Sequence, residues 1–328
     1  METKEKTVLS GVKPTGEPHI GNYFGAMKQF VDLQEKYDES LFFIADYHAL
    51  NTLHNADEMK QNIFEVALDY LAIGLDPKKV TIFKQSDIPQ HAELAVIFNT
   101  ITTMPYLMRA HAFKDAEAKN KEISVGTFDY PMLMAADILM YDTDAVPVGQ
   151  DQKQHIEIAR DTAEKFNRTF SDEFKLPEPL ILKEVAVVPG TDGQKMSKSY
   201  NNTIPLFAED TEIEKAVMSI VTDSKSPEEK KNPEEDNIFA LHKLFSSIEE
   251  LEGIEKRYKE GGMGYKESKE ILIENIKKFI SPMRERRKEL EKDKDSIIKM
   301  LEENGEKMRE RAEQKMQSVR EKIGVSLK

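Results

Sequence analysis

The strongest chemical candidate in the chain is a short basic run, residues 195–199, which reads Lys-Met-Ser-Lys-Ser. Lys195 and Lys198 flank a methionine and a small hydroxyl residue. The preceding segment Pro189–Gly193 contains glycine and proline, which predicts a loop. Two ammonium groups on a loop suit a negative charge that develops only briefly, such as the charge on a departing phosphate. The alternative is a solvated basic turn, since five-residue motifs also occur by chance.

A second candidate lies near the N-terminus, where residues 14–22 read Pro-Thr-Gly-Glu-Pro-His-Ile-Gly-Asn. This stretch follows an apolar run, Thr7–Leu9, and opens a helical pattern from Tyr23 to Tyr37. Strand, turn and helix start together predict a phosphate site, because free backbone N–H groups and the helix dipole point at the ligand.

Three residues of this stretch add to the prediction. His19 and Asn22 supply side-chain donors, and Gly21 allows a nucleotide ring to approach the backbone closely. The two motifs stand far apart in a fixed order. In this the chain resembles the class I aminoacyl-tRNA synthetases, with His-Ile-Gly-Asn in place of that family's His-Ile-Gly-His and with Lys-Met-Ser-Lys-Ser complete.

The middle of the chain narrows the resemblance. Residues 130–137 read Tyr-Pro-Met-Leu-Met-Ala-Ala-Asp, and residues 146–155 read Val-Pro-Val-Gly-Gln-Asp-Gln-Lys-Gln-His. Both are closely similar to the bacterial tryptophanyl-tRNA synthetases. The similarity covers most of the first 205 residues, and extends more loosely through Val221–Ser224 and Gly262–Tyr265.

Asp137 is a candidate ligand for tryptophan on chemical grounds as well. It is a lone carboxylate on the otherwise apolar segment Met134–Met140. Indole offers one N–H donor and no acceptor, so a buried carboxylate facing it would discriminate against phenylalanine. The competing interpretation is a helix-face Asp paired with Arg or Lys. With the resemblance, we favour the ligand role.

The resemblance also assigns site residues. Beside Asp137, the tryptophan pocket would be formed by Leu9, Gly11, His48, Tyr130, Met134, Val146, Val148 and Gln152. The surroundings of ATP would be Gly11 again, Lys13, Pro14, Thr15, Gly21, Asn22, Gly149, Gln150, Asp151, Lys195, Met196, Ser197, Lys198 and Ser199. The catalytic set would be His19, Asn22, Lys195 and Lys198. For the apolar members plain core packing is the alternative, and for His48 it is a hydrogen-bonded core histidine.

The chain departs from its relatives at three positions. Leu9 stands where many have Phe, and Gln150 where many have Glu. Ala116 replaces a phosphate-binding Lys, for which Lys114 and Lys119 are the possible substitutes.

Apolar runs bounded by turn residues predict the scaffold. They lie at Thr7–Leu9, Leu41–Ala45, Val80–Phe83 and Ala145–Val148, with helical patterns between them. Alternating strands and helices indicate an α/β fold with a doubly wound, Rossmann-like parallel sheet. Ligands bind such sheets at the carboxyl ends of the strands. We therefore expect Asp46, His48, Gly149 and Asp151 at one edge.

After Leu206 the strand signals stop and helical patterns take over. The sequence predicts a catalytic domain over 1–205, with the ATP and tryptophan sites, and a helical tRNA (anticodon)-binding domain over 206–328. Capping spacings at Thr211/Glu214 and Ser226/Glu229 predict two helix starts.

Two basic groups lie in the helical part. Residues 284–288 hold four positive charges and one negative, and favour RNA contact. Lys307, Arg309, Arg311 and Lys315 recur at helical spacing, and favour a solvated helix with i,i+4 ion pairs.

Composition sets limits on the class of protein. The 328 residues carry a net charge of −13 and contain no Cys, which argues against a general nucleic-acid coat protein and fits a reducing cytoplasm. No apolar run approaches the roughly 18 residues of a membrane span. We expect a cytoplasmic protein with neither membrane nor DNA among its partners.

The reaction implied by the resemblance has two steps: tryptophan is activated with ATP and then transferred to the 3′ end of tRNA(Trp). Mg²⁺ would travel with the nucleotide, and no dedicated protein metal site is apparent. The resemblance implies a homodimer. Alternatives are a tyrosyl-tRNA synthetase, a nucleotidyltransferase without tRNA, and a non-catalytic synthetase-like regulator; the two retained lysines and the helical part weigh against the last two.

Overall fold

The computed structural model describes residues 6–118, 122–149, 153–181 and 188–327. The chain divides into two compact units. The first contains Met1–Gly16, Gln29–Lys183 and Asp293–Lys328, and the second contains Glu17–Lys28 and Glu184–Lys292. Both units are thus assembled from separate stretches of sequence.

The first unit is built on a parallel sheet of five strands in the order β3-β2-β1-β4-β5. The strands are β1 Thr7–Val12, β2 Glu39–Ile44, β3 Val80–Lys84, β4 Ala145–Val148 and β5 Glu178–Ile181. This is the doubly wound arrangement that the sequence predicts. The register pairs Leu9 with Leu41, and Leu41 with Thr81.

The fifth strand was not predicted. β5 has no buried residue, contains Pro179 and lies at the edge of the sheet. Proline is tolerated at an edge strand because no further ladder hydrogen bond is required there. Its apolar pair Leu180-Ile181 stands directly after Pro179, and a proline within a run weakens the strand signal.

Helices cover the sheet. Those of the first unit are α2 Lys28–Leu33 (from its second residue), α3 Asp46–Ala49, α4 Ala56–Ala72, α5 Gln90–Ile101, α6 Met104–Leu107, α7 His111–Ala118, α8 Val125–Leu139, α9 Lys153–Thr169 and α14 Lys294–Lys322. Asn55 caps α4 by accepting from the N–H groups of Asp57 and Glu58. α4 and α8 are two of the helical patterns that the sequence predicts between the strands.

The core of the first unit joins the sheet to α14. Leu9, Leu41 and Phe83 from the strands belong to one buried cluster with Met132 of α8 and Met308 of α14. Asn304 of α14 donates to the carbonyl of Ile82, with 2.9 Å between Nδ2 and O. The last helix is therefore part of this unit, although the sequence places it in the helical domain. The functional division at 205/206 stays a prediction.

The second unit is helical. Its helices are α1 Ile20–Asn22, a π-helical turn Tyr23–Met27, α10 Asp210–Met218, α11 Asn237–Phe245, α12 Ile248–Glu260 and α13 Tyr265–Glu291. Buried Phe239, Ile254, Tyr258 and Met263 form one cluster. A second group of rings brings Phe24 within 5.3 Å of Phe245 and 5.6 Å of Phe279, measured between centroids.

The two predicted helix starts in this unit were wrong. α10 begins two residues early, because Glu209 and Glu212 form the capping box that was expected of Thr211 and Glu214. Ser226 does donate its backbone N–H to the Glu229 carboxylate at 2.7 Å, but no helix follows and the segment forms a turn. Capping spacing alone could not distinguish a turn from a helix start.

Candidate functional site

Asp137 lies at the centre of a buried polar network in the first unit. It projects from α8 with 1% of its surface exposed. His48 Nε2 lies 2.9 Å from its Oδ2 atom, and His91 Nδ1 lies 2.5 Å from Oδ1. Gln85 Nε2 lies 2.8 Å from Oδ1 and 3.0 Å from Oδ2. Three side chains from three different elements therefore donate to one carboxylate.

These donors decide the charge of Asp137. Burial by itself raises the pKa of this carboxyl group, but the hydrogen bonds from His48 and His91 outweigh burial and hold the pKa below its usual value. The group is therefore an ionised carboxylate, which can only accept hydrogen bonds. The competing interpretation, in which Asp137 pairs with Arg or Lys, does not hold: among the described residues its hydrogen-bond partners are two histidines and a glutamine.

Gln85 and His91 were missed by sequence reasoning. Gln85 directly follows β3, so the strand-end rule that selected His48 could have found it. His91 is the second residue of α5 and carries no such signal. It is placed by the packing of α5 against α8, which only the folded chain provides.

His48 links the carboxylate to an aromatic wall. Its ring stands edge-on to Tyr130 at 6.3 Å, and Tyr130 in turn stands edge-on to His155 at 5.6 Å. Burial raises the pKa of Tyr130 to about 12, so its hydroxyl is neutral. The structure therefore brings together His48, Tyr130 and Asp137, which the resemblance assigns to one pocket.

The other residues assigned to the tryptophan pocket differ in how deeply they are buried. Leu9 and Val146 are buried members of the core cluster, and the partly buried Met134 and Val148 pack against it. Core packing thus accounts for all four residues. Gly11 has a steric reason to be glycine, since a Cβ there would lie 2.5 Å from the ring of Phe43.

Some residues that the resemblance assigns to the site in the first unit lie outside the described part of the chain. Gln150, Asp151 and Gln152 lie outside the described residues, as does Lys119. Gly149 is described and directly follows β4. Lys114 is an exposed residue of α7.

Lys13, Pro14 and Thr15 form a tight turn after β1. The backbone N–H of Thr15 donates to the carbonyl of Lys13 at 2.9 Å. Lys13 and Thr15 are exposed, and Pro14 is buried.

In the second unit, His19 and Asn22 cap the short helix α1 reciprocally. The Asn22 carboxamide oxygen accepts from the His19 backbone N–H at 3.0 Å, and His19 Nδ1 accepts from the Asn22 backbone N–H at 3.3 Å. Histidine thus takes the place of the usual hydroxyl residue in a capping box. Gly21 completes the turn, because a Cβ there would lie 2.9 Å from His19 Nδ1 and 3.3 Å from Met196 Cβ.

This cap fixes the protonation of His19. Because Nδ1 accepts a hydrogen bond, it carries the lone pair, and the ring proton is on Nε2. Burial, and after it the positive charge of Lys198, lower the pKa of His19 to about 4. At neutral pH the ring is therefore an uncharged donor through Nε2.

The 195–199 run is held by a buried asparagine. Asn202 is 1% exposed, and its Oδ1 accepts from the Ser197 backbone N–H at 2.8 Å. Its Nδ2 donates to the Asp192 carboxylate at 2.7 Å and to the Lys195 carbonyl at 3.2 Å. Gly190 is needed beside it, because a Cβ there would lie 2.3 Å from the Asn202 carboxamide.

The side chains of this run divide into one anchor and an exposed set. Met196 is buried, and its backbone N–H donates to the carbonyl of Val188 at 2.9 Å. Lys195, Lys198 and Ser199 are exposed. The predicted loop is thus confirmed, and it presents its lysines from a fixed backbone.

The basic cluster 284–288 on α13 is not one surface. Arg284 is buried, donates to the Ala208 carbonyl at 2.6 Å and pairs with Asp210 at 2.8 Å. Arg287 lies over the ring of Phe207 at 5.2 Å, whereas Arg286 is exposed. The expectation of RNA contact is therefore wrong for Arg284, which is an internal support of the unit.

The second basic group, on α14, makes ion pairs and hydrogen bonds within the first unit. Arg311 pairs with Glu39 at 2.7 Å and donates to the Tyr141 carbonyl at 2.8 Å. Lys315 pairs with Asp142 at 2.7 Å, and Arg309 donates to a main-chain carbonyl, that of Asp87, at 2.7 Å. The expected i,i+4 pairing was wrong for these residues, because α14 lies against the sheet and its cations meet partners from distant segments.

Two further findings concern the described part of the chain. Within it, no cluster of three His, Asp or Glu side chains is arranged to hold a metal ion. Its helices include none long and apolar enough to cross a membrane.

A parallel sheet in this strand order, a histidine-capped helix start and a lysine-bearing loop define a class I synthetase architecture. The family described as tRNA synthetases class I (W and Y) matches residues 1–281. The chain belongs to this family.

Individual relatives match over nearly full length. A tryptophan–tRNA ligase of Fusobacterium nucleatum is 50% identical over 98% of both chains, and one of Rhodopirellula baltica is 48% identical over 97% of this chain and 99% of its own. A Campylobacter jejuni tryptophanyl-tRNA synthetase, solved with ADP and tryptophan, superposes with a TM-score of 0.90 at 45% identity, covering 97% of this chain and 99% of that one.

Proposed function

We propose that the chain is a tryptophan–tRNA ligase. It activates L-tryptophan with ATP, releasing pyrophosphate, and then transfers the tryptophanyl group to the 3′ end of tRNA(Trp), releasing AMP. The observation that carries the choice of amino acid is the ionised Asp137, buried among His48, Gln85 and His91. An acceptor-only group suits the single N–H of indole, and a phenylalanine side chain would leave it unpaired.

In the first unit, the residues proposed to bind the substrate tryptophan are Asp137 and the side chains around it. A carboxylate has about four acceptor positions. His48 and His91 occupy one each, and Gln85 spans both oxygens with one nitrogen. We propose that the indole N–H donates to one of these two oxygens, alongside the donors already bound there. His48 and Tyr130 form the adjoining aromatic wall, and Gln152 is assigned to the polar end of the amino acid.

In the second unit, the proposed catalytic residues act on phosphate. In activation, the tryptophan carboxylate oxygen bonds to the α-phosphorus while the bond to pyrophosphate breaks. Such a step needs positioning and charge stabilisation rather than a protein nucleophile. His19 donates through Nε2–H, Asn22 through its side-chain amide, and Lys195 and Lys198 follow the charge onto pyrophosphate.

Mg²⁺ enters as part of the nucleotide substrate. It keeps water and phosphate oxygens as ligands in most such sites and needs few protein groups. The lysine side chains of the 195–199 run fit such a substrate, because they would add positive charge beside the phosphate oxygens. In the first unit the residues proposed to surround ATP are Lys13, Pro14, Thr15, Gly149, Gln150 and Asp151, the last accepting from ribose hydroxyls.

We place the enzyme in the cytoplasm as a homodimer, as the resemblance implies. Exposed apolar side chains on neighbouring helices of the first unit support self-association: Val96 is 64% exposed, Met104 66% and Val125 81%. Sedimentation of the purified chain measures this part of the proposal.

ATP–pyrophosphate exchange with each of the twenty amino acids tests the central proposal. We expect exchange with tryptophan and little with tyrosine or phenylalanine. Tyrosine-dependent exchange would replace the proposal with a tyrosyl enzyme, and no exchange with any amino acid would favour the non-catalytic regulator. Charging of tRNA(Trp) then tests the second step.

A further inference from the structure

A chain of hydrogen bonds runs away from Asp137 into the core of the first unit. His91 Nδ1 lies 2.5 Å from Asp137 Oδ1, and His91 Nε2 lies 2.6 Å from the hydroxyl of Tyr141. His91 is fully buried, and Asp137 and Tyr141 are each 1% exposed. The proposed function gives neither His91 nor Tyr141 a contact with a substrate.

The direction of this chain follows from chemistry. The Asp137 carboxylate only accepts, so His91 Nδ1 must carry a proton. In a neutral imidazole, Nε2 then holds the lone pair and accepts from the Tyr141 O–H. Burial, and after it the negative charge of Asp137, raise the pKa of Tyr141 well above its usual value, so the phenol keeps its proton. Each donor is thus matched to one acceptor from Tyr141 to Asp137.

Tyr141 is itself held by two contacts of its ring. The ring stands edge-on to Phe83 of β3, with 5.7 Å between centroids. The Arg311 guanidinium lies 5.6 Å from the ring centroid and donates to the Tyr141 carbonyl. Glu39 holds Arg311 in turn at 2.7 Å. Tyr141, the residue of this hydrogen-bond series farthest from Asp137, therefore has little freedom to move.

We propose that His91 and Tyr141 are positioning residues for amino-acid selection, because they orient the Asp137 carboxylate toward the indole N–H. His91 occupies one oxygen from behind, and Tyr141 holds the plane and tautomer of His91. The inference rests on the proposed function, since it names residues that act through the proposed tryptophan ligand. Neither residue needs to touch the substrate.

The test compares two amino acids that differ in one group. 3-(Benzothiophen-3-yl)alanine has the shape of tryptophan, with sulfur in place of the indole N–H. We expect Tyr141→Phe to lower kcat/KM for tryptophan in pyrophosphate exchange about three- to tenfold, as expected for one hydrogen bond, with little change for the analogue. The ratio of the two kcat/KM values should fall accordingly.

Tyr70→Phe is the matched control. Tyr70 is another fully buried tyrosine of the first unit, packed against Phe30 and Phe42. Removing its hydroxyl should leave the selectivity ratio unchanged, even if the melting temperature falls. A structural role for Tyr141 would act in the same way, lowering stability or both activities together.

Substitutions of His91 give a second, independent measurement. His91→Asn retains an N–H near the position of Nδ1, so it should keep more of the selectivity than His91→Leu. In the His91→Leu background, Tyr141→Phe should produce no further change in the ratio, since its effect passes through His91.

The outcomes separate the two proposals. A parent protein that exchanges pyrophosphate with tryptophan, but whose selectivity ratio is unaltered by Tyr141→Phe and equally altered by both His91 variants, overturns the positioning role alone. A parent protein without tryptophan-dependent exchange overturns the proposed function, and the selection role with it.

Discussion

The Asp137 network and the 195–199 run handle charge in opposite ways. In the first unit, one carboxylate is buried and its partners His48, Gln85 and His91 are buried with it. In the second unit, the buried part is the backbone support at Asn202, and Lys195 and Lys198 remain in solvent. Recognition of a neutral ring needs a polar group that cannot be satisfied by water. A departing pyrophosphate needs cations that can follow it.

This contrast predicts that substitution of the buried Asp137 lowers activity more than substitution of the exposed lysines. Asp137→Asn should lower kcat/KM for tryptophan, raising the corresponding activation free energy by roughly 2–4 kcal/mol. The reason is that an amide donor would face the donors of His48 and His91. The KM for ATP should stay near the parent value. Pyrophosphate exchange at varied tryptophan and ATP measures both.

The control for Asp137→Asn is on the same helix. Asp129 of α8 accepts from Asn99 at 2.7 Å and is only partly buried, so Asp129→Asn should have little effect on tryptophan use. An Asp137→Asn variant with the parent's kcat/KM for tryptophan would remove Asp137 from the site.

The exposed lysines should affect rate rather than binding. Lys195→Ala should lower kcat for adenylate formation about a hundredfold and leave tryptophan affinity nearly intact, since its charge matters when phosphate charge shifts. Single-turnover adenylate formation and equilibrium tryptophan binding measure the two effects.

Lys230→Ala, at another exposed lysine of the second unit, is the corresponding control. An unchanged single-turnover rate in Lys195→Ala would show that the loop charge is not used. A loss of tryptophan affinity would erase the contrast between the two regions.

Two buried histidines of the second unit should make the stability of the protein depend on pH. Burial lowers the pKa of His242 to about 4, against the opposing hydrogen bond to the Ser268 carbonyl, and His19 is similarly low. In the unfolded chain both titrate near ~6.5. Between these values the unfolded state binds more protons, so stability must fall as the pH falls from about 6.5 toward 4.

Each of these histidines should contribute roughly 2–3 kcal/mol to that loss. Urea unfolding across this pH range measures it, and His242→Gln should flatten the profile for the second unit. His54→Gln, on the surface of the first unit, should leave the slope as it is. A parent protein equally stable at pH 4.5 and 7 would contradict the burial argument.

The smallest expected effect concerns two arginines on one helix. Arg286 is exposed and Arg284 is buried against Ala208 and Asp210. If α13 contacts tRNA, Arg286→Gln should reduce the salt slope of tRNA binding by about 0.7–0.9 without changing pyrophosphate exchange. Arg284→Gln should instead lower thermal stability.

Filter-binding assays across a salt series, with melting curves of both variants, make the comparison. A salt slope that stays the same in Arg286→Gln would move the tRNA surface away from this face of α13. A stable Arg284→Gln variant would show that its buried ion pair is not needed by the unit.

Local sequence determined the elements and their order. Runs of apolar residues predicted β1 to β4, and the Gly- and Pro-containing segments 14–18 and 189–193 lie in loops, as predicted. Asp137 could be singled out as well, because one carboxylate among apolar residues is visible without any fold. These features depend on neighbours within a few positions, which is the range over which periodicity and turn chemistry act.

Tertiary structure decided which polar groups meet. His91 is 46 residues from Asp137, and Arg311 is 272 residues from Glu39. No local pattern distinguishes buried Arg284 from exposed Arg286, two positions along the same helix. Such pairings exist only once the sheet and helices pack, because a buried donor must then find whichever acceptor the fold brings to it. Residue types therefore set the chemistry available to this chain, and packing selected the partners that fix each group's charge and direction.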